Sequence, residues 1–276
     1  MKFENIVFAG GGNRCFWQAG FWITIEPYLK CPPKHIASVS AGAAISCALF
    51  SGCFDTVLDN TLTAMRSNAR NRYWKNLLTT EPIHPHNRLY RQIIQSSIDR
   101  QGLEKLHNGP INHILVAHIP AWLSPKSATL LGIAAYQIEK KLFAPMHPLF
   151  GKKLGFVSEF IKVQSCQSVD ILTDLILSSS CTPPFTPLMF QSGKPVLDGG
   201  MIDNVPVHGI EQYSGNTLVL CSRPYKQLPD IPGRTYIAPS KPVAIESWDY
   251  TNPEGIVKCF EQGKQDALKF LEAYKL

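Results

Sequence analysis

Ser38-Val39-Ser40-Ala41-Gly42 decides how the rest of the chain is read. Behind Cys31-Pro32-Pro33, residues His35 to Val39 predict a short strand, and the small apolar run Ala41 to Phe50 predicts a helix. Ser40 therefore falls on a strand-to-helix turn, where a serine side chain is thrust clear of the backbone as a nucleophile. A bare Ser-x-Gly is common in unrelated chains. Its meaning depends on two distant segments.

The first lies upstream. Ile6 to Ala9 predicts a buried strand, followed by Gly10-Gly11-Gly12-Asn13-Arg14 and a helix over Cys15 to Leu29. Three glycines between a strand and a helix leave backbone N–H groups bare at a helix N-terminus, a geometry that holds negative charge. A dinucleotide or phosphate loop would use the same geometry. However, G-x-G-x-x-G fails because position 15 is Cys, and G-x-x-x-x-G-K-[ST] is absent. The second segment runs from Pro195 to Val207. Asp198 stands directly before Gly199-Gly200 and after an apolar pair, which predicts a tight turn with the carboxylate held by backbone. A lone Asp-Gly is ordinarily a plain β-turn. Together the three segments offer backbone donors, a nucleophile and a base, the minimum set for acyl transfer.

Their order and sequence resemble the patatin-like phospholipase family, in which the donors lie in G-G-G-x-[RK], the nucleophile in G-x-S-x-G and the base in D-G-[GA]. The corresponding residues here are Gly10 to Arg14, Ser38 to Gly42 and Asp198 to Gly200. The resemblance extends to Ser178-Ser179-Ser180-Cys181-Thr182-Pro183-Pro184-Phe185 and to the tail Asp203 to Val207. It implies a Ser–Asp dyad in which Asp198 accepts the proton of Ser40, and Ser40 attacks an ester carbonyl to form an acyl-enzyme. It also implies an oxyanion hole drawn from Gly10, Gly11, Gly12 and Ala41. Arg14, Gly42, Gly199 and Gly200 would support it, with Arg14 fixing the loop. A carboxylate base working near neutral pH needs partial desolvation, so an apolar acyl pocket is expected around it. The implied substrate is a lipid ester, phospholipid or lysophospholipid, and no cofactor or metal is called for.

The chain departs from the family pattern at Ser38, where glycine is usual, and at Cys15, where a glycine usually follows the basic residue. Three alternatives stand beside the dyad. One is a weak or inactive lipid- or nucleotide-binding module, another a carboxylesterase or thioesterase acting on something other than phospholipid. The third is a Ser…Asp…His hydrolase, disfavoured because only His208 follows Asp198.

Elsewhere, strands are predicted over Ile111 to Ile119, Phe156 to Val163 and Thr217 to Cys221. Helices are predicted within 55–100, over 127–143, over Asp170 to Ser179 and over Glu254 to Tyr274. Alternating strands and helices argue for one α/β domain over 1–276 with a mostly parallel, covered sheet. The resemblance makes it a three-layer sandwich with helices on both faces. Hydrophobic residues are 45% and charged residues 17%, which excludes a disordered chain. The eight scattered cysteines form no CxxC pair or Cys/His cluster, so buried reduced thiols are expected rather than zinc. No signal-like leader or membrane-spanning run is read, so a cytoplasmic protein is expected, peripheral to a membrane where it meets lipid. The net charge of +6 is local. Residues 66–100 hold seven cations against Glu81 and Asp99, and 126–153 hold five lysines against Glu139. Both segments are expected to favour an anionic lipid surface, with no nucleic acid as partner.

Overall fold

Ile6-Val7-Phe8 and Leu218-Val219-Leu220 carry apolar side chains at consecutive positions, a pattern suited to a strand buried on both faces. Both become adjacent central strands. The computed structural model describes residues 1–79, 82–120, 122–124, 127, 154–183 and 185–274. Within them one mixed sheet contains β1 (Asn5–Phe8), β2 (His35–Val39), β3 (Ile111–His118), β4 (Val157–Lys162), β5 (Met189–Gln191), β6 (Lys194–Asp198), β7 (Thr217–Leu220) and β8 (Arg234–Ile237). The order is β5-β6-β3-β2-β1-β7-β8, with β4 also paired to β3. The run β3-β2-β1-β7-β8 is parallel, while β4, β6 and β5 join antiparallel.

The helices are α1 (Phe16–Ile25), α2 (Ala41–Phe50), α3 (Phe54–Ser67), α4 (His86–Ser97), α5 (Arg100–Asn108), α6 (Val169–Ser179) and α7 (Pro253–Ala273). Strands β1, β2 and β3 lie side by side in chain order, so crossovers of one hand place α1 to α5 on a single face. There Ile6, Phe8 and Ile36 share a core with α1, α2, α3 and α7. The other face, Val7, Ala37 and Val219, packs against Val205, Val207 and Ile210 around a short 3₁₀ helix, Val207–Gly209. Helix α1 meets α7 at glycines: a Cβ on Gly20 would lie 2.0 Å from Phe260 O, and one on Gly263 2.1 Å from Trp17 O.

The long strand β3 sets up the site. Its residues 111–115 pair with β2, and 116–118 pair with β6. Strand β4 occupies the opposite edge along 113–118, so β2 and β6 must share one edge, end to end. Val39 faces Leu115 and Asp198 faces Val116. The residue leaving β2 and the residue ending β6 are thereby brought together.

Several elements differ from expectation. The first helix stops at Ile25 and gives way to a 3₁₀ turn, Glu26–Tyr28, containing Pro27. β5, β6, β8 and α5 had no clear signal. β6 contains Pro195, β5 has three residues and β8 four, and α5 is mostly polar. Apart from Ser127, the predicted 127–143 helix lies outside the described residues.

Candidate active site

Ser40 follows β2 and caps α2 with φ 54 and ψ −133, a conformation that strains any residue with a Cβ. Close contact maintains the turn. A Cβ on Gly42 would stand 2.5 Å from Ala9 O and 2.6 Å from Phe8 O, so only glycine lets α2 start against the end of β1. The Ser40 N–H donates to Ser179 Oγ at 2.8 Å, and the Ser179 hydroxyl donates to Leu115 O at 2.6 Å. Serine replaces glycine at position 38 without strain. Its buried hydroxyl donates to Asn112 Oδ1 at 2.8 Å, and Asn112 Nδ2 donates in turn to Ser46 Oγ at 2.9 Å.

Ser40 Oγ lies 2.7 Å from Asp198 Oδ2. The other carboxylate oxygen, Oδ1, accepts the Gly200 N–H at 2.7 Å, the backbone grip anticipated for this turn. Gly199 must be small, because its Cβ would fall 2.5 Å from Leu115 O. Burial in the cavity wall raises the Asp198 pKa to about 6, against the opposing pull of the Ser40 and Gly200 hydrogen bonds. A carboxylate with that pKa is ionised at neutral pH yet basic enough to accept a proton.

The glycine loop runs directly beside Ser40: a Cβ on Gly10 would be 3.3 Å from Ser40 Cβ. Gly10 leaves the expected donor set, because its N–H is bonded to Asn204 O at 3.0 Å. Its own carbonyl accepts from Asn204 Nδ2 at 3.0 Å and from the Ser222 hydroxyl at 2.6 Å. Gly10 is thus the loop's anchor. The N–H groups of Gly11, Gly12 and Ala41 have no hydrogen-bond partner among the described residues. Gly12 takes φ 58, and a Cβ there would strike Ser247 O at 2.1 Å. Arg14 Nε donates to Gly11 O at 3.1 Å, in keeping with a loop-fixing role. Cys15 is fully buried, with its thiol 3.4 Å from Ala9 O and its pKa pushed far up by burial, so it stays protonated.

Ser40, Asp198, Gly11 and Gly12 open onto one cavity of about 930 Å³, whose lining includes the apolar side chains Phe16, Ile45, Val57, Ile93, Ile94 and Leu177. His84 and His86 also reach it, but His86 Nε2 is bonded to Trp248 O at 2.8 Å. His208 instead pairs with Asp203, Nδ1 to Oδ2 at 3.0 Å. No hydrogen bond joins a histidine to Ser40 or Asp198 among the described residues. No group of three or more His, Cys, Asp or Glu side chains suited to a metal occurs among them either.

Ser179, Asn204 and Ser222 brace the site without belonging to any of the three motifs. The first two fall in the stretches 178–185 and 203–207 that extend the resemblance; Ser222, after β7, carried no signal.

A mixed α/β sheet with a serine elbow and an aspartate turn at adjacent strand ends is the patatin-like fold. The family model described as patatin-like phospholipase matches residues 6–210, and the chain belongs to that family. No curated protein matches the chain. A solved structure, VipD from Legionella pneumophila, superposes with a TM-score of 0.49 at 12% identity, covering 98% of this chain and 67% of that one.

Proposed function

We propose that the protein is a serine acyl hydrolase that releases fatty acid from a lipid ester, with a phospholipid or lysophospholipid as substrate. Family membership supports the general activity. The observation that carries the dyad is the 2.7 Å hydrogen bond between Ser40 Oγ and Asp198 Oδ2 on a strained elbow. In the proposed reaction Asp198 takes the Ser40 proton as Oγ bonds to the ester carbonyl carbon. The N–H groups of Gly11, Gly12 and Ala41 receive the developing oxyanion, aided by the positive end of α2. When the tetrahedral intermediate collapses, the C–O bond to the alcohol breaks and Asp198 returns the proton to the leaving oxygen. Water, deprotonated by Asp198, then attacks the acyl-serine; the bond from the acyl carbon to Ser40 Oγ breaks, Asp198 returns the proton to Oγ, and the fatty acid is freed. The apolar cavity wall suits the acyl chain, because its burial is favourable in proportion to area.

The test is product analysis. Purified protein incubated with phospholipid should release free fatty acid, identified by mass spectrometry. The kcat/KM should follow the ionisation of Asp198, with a midpoint near pH 6, a plateau above it and a tenfold fall per pH unit below it. Ester products without fatty acid release, or a rate indifferent to pH between 4 and 8, would overturn the proposal.

A further inference from the structure

A loop that alternates anchors with cations runs along the cavity mouth. Between Arg66 and Lys75 there are four basic residues and no carboxylate. Arg66, Arg70, Arg72 and Lys75 are exposed, and none forms an ion pair among the described residues. The residues between them are tied inward. Asn68 Nδ2 donates to Tyr250 O at 2.9 Å, and Tyr73 Oη donates to Asn68 Oδ1 at 3.0 Å. Asn71 Nδ2 donates to Asp249 Oδ1 at 2.9 Å, while its Oδ1 accepts the Tyr250 N–H at 2.8 Å.

Pinned this way, the loop presents Trp74 outward at 60% exposure, with the Arg72 guanidinium 5.9 Å from its ring centroid. Arg72 also lines the cavity, as do Phe185 and Trp248, whose rings lie 6.1 Å apart. Trp248 is 43% exposed. Among the described residues, the carboxylates on this rim are Glu246 and Asp249, and Asp249 is already engaged by Asn71 and Thr251. Unpaired cations held close repel one another, and the exposed faces of the indoles gain nothing from water.

We propose that this rim, Arg70, Arg72, Trp74 and Lys75 with Trp248, is the docking surface for an anionic lipid bilayer, which seats the cavity mouth on its substrate. The inference takes its purpose from the lipid-hydrolysis reading above. Indole rings are suited to the headgroup level, and basic side chains are drawn to anionic lipid. The rim is also linked to the glycine loop. The strap at 246–250 that carries Trp248 accepts the Asn13 N–H at Ser247 O, 3.1 Å, and Asn13 Nδ2 at Asp249 O, 2.7 Å. One strap thus holds both the docking loop and the residue that follows the glycine loop.

The surface is narrower than the charge of 66–100 suggests. Arg91 pairs with Asp174 at 2.6 Å, Arg100 pairs with Glu104 at 3.4 Å, and Tyr90 turns into the cavity wall. The lysines of 126–153 lie outside the described residues.

The test is sedimentation of the full chain carrying Ser40→Ala, so that the vesicles stay intact and the result does not depend on catalysis. Binding is expected to vesicles containing phosphatidylglycerol, weakened by salt, and not to phosphatidylcholine alone. Reversing two charges, Arg70→Glu with Lys75→Glu, should lower partitioning at least ~20-fold, from about fivefold per cation. Trp74→Ala should weaken binding further at high salt, and every variant should keep the parent melting temperature. Absence of binding would overturn the proposal, as would equal binding to both vesicle types or binding untouched by charge reversal. Equally tight capture of a duplex oligonucleotide would make the rim a general polyanion site and overturn it too. Failure of soluble-ester hydrolysis by the wild-type chain would instead count against the dyad alone.

Discussion

Asp198→Asn and Ser40→Ala are each expected to lower ester hydrolysis about 10⁴-fold while the protein stays folded. The size of the effect follows from the 2.7 Å contact between the two side chains, because in the proposed dyad Ser40 has no proton acceptor without Asp198. Asparagine preserves the shape of the turn and can still face Ser40, but it cannot take the proton. Stability should move the other way. The folded-state pKa of Asp198, about 6, lies above the ordinary value of 3.8, so the folded protein binds this proton more tightly than the unfolded chain does. Its ionisation therefore costs stability as pH rises from roughly 4 through 6, and the full penalty remains above that range. Asp198→Asn removes the penalty, so its melting temperature at pH 8 should equal or exceed that of the wild type. A p-nitrophenyl ester assay beside a melting curve separates the two effects. Wild-type turnover by either folded variant would remove the dyad.

The second large effect is expected at Gly42. A single added methyl in Gly42→Ala would lie 2.5 Å from Ala9 O and 2.6 Å from Phe8 O, both backbone atoms that cannot swing aside. The start of α2 must then move off β1, at a cost of about 1–3 kcal/mol. The Ser40 elbow is the first residue before that helix, and Gly10 passes beside it, so the same movement separates nucleophile from donors. A displacement near 1 Å can cost about 100-fold in rate. Gly42→Ala should thus lose both stability, read as a lower urea midpoint, and kcat. A variant with unchanged midpoint and kcat would show that this contact does not govern the elbow.

The motifs were legible in the chain because each is a short contiguous run of distinctive residues. Glycines at 10–12, glycine at 42 and Asp-Gly-Gly at 198–200 stand out as local patterns, although the contacts that demand Gly12, Gly42 and Gly199 come from Ser247, β1 and β3. Apolar runs likewise marked β1, β2, β3 and β7. The antiparallel side of the sheet was harder to read. β6 is held by pairing with Val116 to His118, a contact across eighty residues that leaves little trace in Lys-Pro-Val-Leu-Asp itself. The loss of Gly10 from the donor set was equally hidden, since it depends on Asn204 arriving from another turn. Ser38 is intelligible only with Asn112 beside it, from the neighbouring strand. The loop at 68–73 shows the same limit. Its cations were visible in the sequence, but the asparagines that aim them outward bond to a strap nearly 180 residues away.

The central claim is that Asp198 activates Ser40, and the most direct test is covalent labelling by a fluorophosphonate, which reacts only with an activated serine. The expected result is one adduct, mapped by peptide mass to Ser40, formed rapidly by the wild-type protein. Ser40→Ala should show none, and folded Asp198→Asn should be slowed by orders of magnitude. An adduct at another residue, or labelling of Asp198→Asn at the wild-type rate, would contradict it.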